Sequence, residues 1–413
     1  MDVVIPADLD TPVVLRELSD AEGYLAKICF KTGPPMLSGV ELEWTVHDRD
    51  DPTQPVSSDR LRDALGPHAP STLDPAGAQS PLPGHGTVSV EPGGQVEISS
   101  APHRSLRALC AHTDADIEQL SQLLGAAGLT LGTSGIDPHR PPRPAVETPR
   151  YRAMRAAFDR RGPAGRTMMY STAGLQVCVD AGTPERFGAR WDAVHALGPP
   201  MLAAFATARH HAGIDTGWAS ARMATWFAID PARTRPAWRS TGAGADPVNV
   251  WSAYALGAPL LCVRRPDGDW RAPAGITFRD WIGGALPEPP TVDDLEYHLS
   301  TLFPPVRARG YLEVRYLDAQ PPGEWIAPVG VLAALLGDDS ALNLAREACE
   351  PVLDQWDVAA RHGLADPTLA GAAAAVLRVA LAALDRTDLE PATRDDITHI
   401  VQRRLAAADR STS

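Results

Sequence analysis

The chain has 413 residues, 44% of them hydrophobic and 22% charged, with a formal net charge of −13. This is globular composition, long enough for one large domain with helical additions or for two or three domains, and its acidic balance speaks against a nucleic-acid or anionic-membrane surface. Only Lys27 and Lys31 stand against 36 arginines, so P-loop and Schiff-base lysine chemistry are excluded and any bound phosphate must be held by arginine and metal.

The first stretch, MDVVIPADLDTP, is acidic and too poor in apolar residues to read as a signal peptide. Residues 14–30 predict an amphipathic helix and GVELEWTVHD a strand. Residues 50–86 are rich in Pro, Gly, Asp and Ser and read as a long connection, with one short helix near Asp59–Leu65. TVSVEPGGQVEISS predicts a hairpin turning at Pro92-Gly93-Gly94. A helix over 104–129 follows, ending at Gly128, then a short strand (TLGTSG), a basic helix over 151–161 and a buried strand in TMMYSTAGLQVCVDAG. Residues 184–211 predict a helix broken at Pro199-Pro200, followed by a loop with Arg222, Trp226, Asp230 and Arg233. A helix over 247–256, a strand in PLLCVRR, a helix over 291–303 capped by Thr291 and a strand in YLEVRYLDAQ complete this part.

From about residue 328 the chain is Ala/Leu-rich and reads as helical to about 408. Its most apolar run, residues 369–384, is 16 residues long and contains Arg378, which favours a buried or amphipathic helix over a membrane span. Five scattered cysteines without a C-x-x-C pair give neither a zinc site nor a disulfide framework, which points to the reducing cytoplasm. The irregular order of strands and helices predicts an α+β fold with a mainly antiparallel sheet and flanking helices. The expected division is a catalytic α+β domain over 1–327 and a helical C-terminal region over 328–413 packed on it.

Three predicted strands carry polar residues at two-residue spacing: Glu41 and Glu43; Glu91, Gln95 and Glu97; Glu313 and Arg315. Residues i and i+2 of a strand share a face, so each segment aims its carboxylates to one side and its apolar residues to the other. Buried carboxylates need partners or cations. Three such strands together would form an oxygen-rich pocket suited to Mg²⁺. For any one pair alone, a solvated sheet face is the simpler reading.

These strands, with RYRAM, MMYSTAGLQVCVD, ARMATWFAIDPART and AYALGAP, occur in order between residues 39 and 320. Together they resemble the plant and bacterial glutamate–cysteine ligases of the glutamine-synthetase-like superfamily, most of all the bacterial branch associated with ergothioneine synthesis. The resemblance implies a cupped sheet holding ATP and Mg²⁺ on one face. It implies phosphorylation of the glutamate γ-carboxylate by ATP and attack of the cysteine amine on the acyl phosphate, giving γ-glutamylcysteine.

On this reading Glu41, Glu43, Glu97 and Glu313 are metal ligands, with Glu91 as a further ligand and Gln95 orienting ligand or substrate. Arg315 faces the phosphates beside Glu313, and the two are the catalytic pair; a salt bridge between them is the plainer alternative. By resemblance, Arg150 and Arg222 hold glutamate or phosphates, Arg233 the nucleotide, Gln176 the substrate, and Tyr254 and Trp226 wall the amino-acid pocket. Glu43→Gln and Glu313→Gln are then expected to abolish turnover without unfolding the chain. The partners implied are small molecules: glutamate, cysteine and ATP. A ligase using another amine and a non-catalytic nucleotide- or metal-binding protein are the rival readings.

Two departures stand out. Cys178 replaces a plant asparagine and reads as a packing residue, and bulky Tyr316 and Leu317 follow Arg315 where plant members have small residues, which predicts a differently shaped pocket. Among the histidines only His103 merits a test, and its default role is structural.

Overall fold

The computed structural model describes residues 13–33, 36–239, 245–266 and 268–412; the amino-terminal stretch read above as no signal peptide lies outside them. The centre is a six-stranded sheet built from β1 (Ser38–Trp44), β2 (Thr87–Val90), β3 (Val96–Ser99), β4 (Gly174–Val179), β5 (Val306–Ala308) and β6 (Leu312–Asp318). Its spatial order is β2-β3-β1-β4-β6-β5, and every neighbouring pair is antiparallel. Helices flank it, so the architecture is α+β, as the sequence predicts.

The register sorts the sheet into two faces. Leu42 pairs with Ile98 and with Leu175, and Val40 and Val314 both pair with Val177. All of these side chains are at most 2% exposed. They pack toward the helices Leu106–Ala126 and Gly198–Phe205. Each such side chain contributes roughly 1.5–3 kcal/mol by leaving water. The opposite face carries the polar set at the alternate positions.

The β2–β3 hairpin shows how local sequence places that set. Glu91 N donates to Gln95 O at 2.9 Å, closing the chain around Pro92, Gly93 and Gly94. Gly94 takes φ +84°, and a Cβ on Gly93 would lie 2.2 Å from Tyr170 O. The turn therefore needs glycine twice, once for its backbone angle and once to lie against Tyr170.

Several elements differ from the sequence reading. TMMYS is not strand: Ala164–Ser171 is a helix, and the strand begins only at Gly174. Met168 through Ser171 are all buried, and a fully buried run has no periodicity to separate helix from strand. PLLCVRR does not join a sheet; it makes single bridges at Pro259–Thr277 and Cys262–Arg271. The break expected at Pro199-Pro200 is present, with Pro184–Ala196 and Gly198–Phe205 as separate helices because the prolines start the second one, where no N–H is needed, but the loop expected beyond it is helical: Arg222 and Trp226 lie in Ala221–Ile229 and Arg233 in Pro231–Thr234.

Thr291 caps Val292–Leu299, accepting from Asp294 N at 3.2 Å. Five α-helices and two short 3-10 helices occupy residues 326–412. Among the described residues Pro367–Leu384 is the one single helix long and apolar enough to cross a membrane. It lies instead against Gly198–Phe205, Ile326–Gly337, Asp339–Ala348 and Pro391–Thr412.

Candidate active site

The polar face assembles from the pairing register. Glu43 pairs with Glu97, and Glu41 pairs with Ser99 on one side and Gln176 on the other. Glu313 pairs with Cys178 and with Arg307. A cavity of ≈ 310 Å³ lies over this face. Its wall contains Glu41, Glu43, Glu91, Gln95, Glu97, Arg150, Gln176, Trp226 and Arg315, nine of the residues singled out from sequence.

A hydrogen-bonded chain crosses its floor. Gly174 N donates to Glu43 at 2.6 Å and Gln176 Nε2 donates to Glu43 at 3.1 Å. Gln176 Oε1 accepts from Arg315, which also lies 3.3 Å from Glu313. Glu313 is held in turn by the fork of Arg307, with Nη2 at 2.9 Å and Nε bonded to the second oxygen. Glu313 has no exposed surface, and both its oxygens are engaged.

β6 reaches this geometry through a bulge. Its pairing with β4 shifts between Val314 and Leu317, so β6 holds one extra residue there. Arg315 faces the cavity, while Tyr316 and Leu317 are both fully buried in the core. They do not line the cavity. Asp318, opposite Gly174, returns to the polar side. The Arg315 carbonyl accepts from Arg222 Nη2 at 3.0 Å. A Cβ at position 174 would sit 2.3 Å from that nitrogen, so Gly174 makes room for the guanidinium.

Other expected site residues fall outside the cavity wall. Arg222 lies behind it, 1% exposed, with Asp318 at 3.8 Å. Arg233, 1% exposed, is turned to Asp230 at 3.0 Å, Thr301 O at 2.9 Å and Pro259 O, outside this wall. Tyr254 stacks on Trp251 at 5.6 Å, away from the carboxylates. His103 packs edge-on against His112, also outside the wall. Trp226 is flanked by two guanidiniums, Arg222 at 5.1 Å and Arg315 at 5.6 Å. Arg150 donates to Ser300 Oγ at 3.0 Å and to its carbonyl at 2.9 Å.

Sequence reading missed Arg307 and Arg309. Both line the cavity. The signal was present: RAR alternates like the acidic pairs, and a strand would place both arginines on one face.

The electrostatics are those of crowded anions. Burial, then the charges of Glu41 and Glu43, raise the Glu97 carboxyl well above its ordinary range, although Ser89 and Ser99 donate to it at 2.8 and 3.1 Å. Burial and the Glu43 charge push Glu91 up to about 7. Glu41 is raised by burial and by Glu313. Burial alone would raise Glu313 as well, but Arg307 and Arg315 outweigh it and hold that carboxyl at about 2.

Among the described residues no protein group donates a hydrogen bond to the carboxylates of Glu41 or Glu91. Carboxylates with unclaimed lone pairs fit a hard divalent cation, and the side chains whose ligand atoms lie within 4.8 Å of one another are Glu41, Cys178 and Glu313. Beside them Cys178 is half-buried, its thiol kept neutral by burial and by Glu313 and Glu41.

A model described as glutamate–cysteine ligase family 2 matches residues 37–405. A glutamate–cysteine ligase EgtA from Mycobacterium tuberculosis is 40% identical over 388 residues, covering 92% of this chain and 86% of the relative. An EgtA from Mycolicibacterium smegmatis is 37% identical over 420 residues, covering 98% and 95%. Among solved structures, a Francisella tularensis glutamate–cysteine ligase in complex with AMP superposes with a TM-score of 0.50 at 11% identity, over 93% of this chain and 84% of that one. That superposition speaks to the fold.

Proposed function

The chain belongs to glutamate–cysteine ligase family 2, and on that footing we propose that it joins the γ-carboxylate of L-glutamate to the amine of L-cysteine at the expense of ATP, supplying γ-glutamylcysteine for ergothioneine synthesis. ATP transfers its terminal phosphoryl group to the glutamate γ-carboxylate. The amine attacks the acyl carbon, phosphate leaves with the bonding pair, and the amine proton goes to solvent.

The observation that carries this reading is the single polar face on which Glu41, Glu43, Glu91 and Glu97 meet the Gln176–Arg315 pair under one cavity. Phosphoryl transfer asks a protein for positioning and charge stabilisation more than for covalent help. When bound at Glu41, Glu43, Glu91 and Glu97, Mg²⁺ supplies charge neutralisation at the triphosphate. Arg315 presents a planar cationic fork to the transferring group. Glu313 acts as a positioning residue in this proposal, fixing Arg315 from below while Arg307 fixes Glu313. Arg222 holds the bulge that turns Arg315 inward, and Gln176 orients both Arg315 and Glu43. Arg150, Gln95 and Trp226 are placed to bind the amino-acid substrates, whereas Arg233 and Tyr254 support the fold around them. The domain division stays at 327/328, and the five free cysteines suit a cytoplasmic enzyme.

The test is ADP release by the full chain with Mg²⁺, with and without glutamate and cysteine, with γ-glutamylcysteine identified by mass. ADP release that requires both amino acids is expected. A better acceptor than cysteine would make it a different glutamate–amine ligase. ATP binding without glutamate-dependent ADP release would make it a binding protein.

A further inference from the structure

A group of arginines stands apart from the site already described. A cleft of ≈ 340 Å³ lies where the start of β1 and the end of β4 meet the helices Pro184–Ala196, Ile326–Gly337 and Pro367–Leu384. It shares no residue with the wall of the carboxylate cavity. Its volume falls at the lower end of the ~300–1,000 Å³ usual for small-molecule sites.

Its charges do not cancel locally. The carboxylates in the wall are already claimed. Asp180 accepts Leu37 N at 2.7 Å. Asp338 accepts Ala341 N at 2.8 Å and pairs with Arg386 at 2.6 Å. Asp388 accepts Leu106 N at 3.0 Å and Ser105 Oγ at 2.5 Å. Three other arginines keep unused donors. Arg190 is 3% exposed, with Nη1 on Leu336 O at 2.5 Å, Nη2 on Asp180 O at 3.0 Å and Nε without a partner. Carbonyls bring no full counter-charge, and burial, then the Arg186 charge, push this guanidinium down to about 10. Arg186 pairs with Asp339, and its Nε too has no partner. Among the described residues the Arg104 guanidinium has neither a hydrogen-bond nor an ion-pair partner. A buried cation facing only carbonyls is costly, and a bound anion would offset that cost.

We infer that this cleft is a second binding site, for a small organic carboxylate held between Arg104 and Arg190. A guanidinium fork suits carboxylate and phosphate alike. The rest of the wall decides between them: Leu37, Leu106, Val179 and Ala333 offer apolar surface to a hydrocarbon body, which inorganic phosphate lacks. A ligand seated there touches the sheet and the C-terminal helices at once, so it ties the two together.

The test is calorimetric titration of the full chain with adipate and with inorganic phosphate, in saturating glutamate so that the carboxylate cavity is occupied. Adipate should bind one to one and more tightly than phosphate, and it should raise the thermal midpoint. Arg104 is exposed, so its replacement leaves the fold standing. Arg104→Glu should raise Kd for adipate at least about tenfold, the scale of one lost charge-assisted hydrogen bond, and Arg104→Lys should raise it less. Arg150→Gln, in the other cavity, should leave Kd within about twofold. No binding at about 10 mM adipate, binding unchanged in Arg104→Glu, binding lost in Arg150→Gln, or tighter binding of phosphate than of adipate would each overturn the inference. None of these readouts uses ADP release, so failure of the ligase reading and failure of this one are told apart.

Discussion

Glu91→Gln should stabilise the metal-free protein, and only on the alkaline side. Glu91 titrates at about 7 in the fold against an ordinary 4.5, raised by burial and the Glu43 charge. An acid whose pKa is higher in the folded state binds more protons folded than unfolded between those two values, so stability falls as pH rises through that window. The penalty is absent below pH 4.5, grows to pH 7 and is complete above it. At 1.36 kcal/mol per unit it reaches about 3 kcal/mol. Glutamine keeps the shape and removes the charge, so urea unfolding in EDTA should show a gain of up to about 3 kcal/mol at pH 8 and almost none at pH 4.5. Mg²⁺ should stabilise wild type at pH 8 and do so less in the variant, because a cation neutralises the same crowded charge. An equal gain at both pH values, or a loss at pH 8, would refute carboxylate crowding as the organising force of the site.

Three further outcomes follow from buried charges and rings. Glu313→Gln should destabilise the chain by about 3–5 kcal/mol, because it leaves the Arg307 guanidinium buried without its carboxylate; this reverses the expectation from sequence that the fold would be untouched, and Arg307→Met added to it should restore the unfolding midpoint but not ADP release. Arg315→Lys should lower kcat by about 10²-fold in the ADP assay, since Gln176 and Glu313 both hold Nη1 and a single ammonium cannot keep those two contacts and also present a second nitrogen to the phosphoryl group; a KM effect alone would place Arg315 outside the transition state. His195, buried and held at about 4 by that burial, must be neutral when folded. Its contribution is whole above pH 6.5 and lost as pH falls toward 4, so His195→Phe should narrow the stability difference between pH 7 and pH 4.5 by about 3 kcal/mol in urea melts.

Much of the site was legible because strands advertise their faces. Glu41, Glu43, Glu97 and Gln176 share one face in the register, as two-residue spacing requires. Alternation says nothing about which strands become neighbours, and it cannot separate a residue lining a cavity from one that braces it. Arg222 and Arg233 carry the same chemical promise in sequence as Arg150. Only the packing shows that they are turned toward carbonyls and Asp230, outside the cavity wall. MMYS was misread for a related reason: a run buried on all sides gives no period to read.

The strand YLEVRYLD forms as read, and its bulge is what alternation alone does not give. Strict alternation puts Leu317 beside Glu313 and Arg315, and sends Asp318 into the core with Val314. Either placement is expensive, an apolar side chain exposed in a charged cavity and a carboxylate buried among valines. One extra residue cancels both costs at once: Leu317 pairs with Leu175 in the core, and Asp318 meets Gly174 on the polar side. There Asp318 accepts from Thr207 N at 2.9 Å and Ser220 Oγ at 2.8 Å. The bulge leaves the Arg315 carbonyl off the ladder, and Arg222 claims it. A strand whose apolar pattern breaks phase by one residue, followed by an acid, is thus itself a bulge signal. Here the break falls at the arginine that the site needs turned inward.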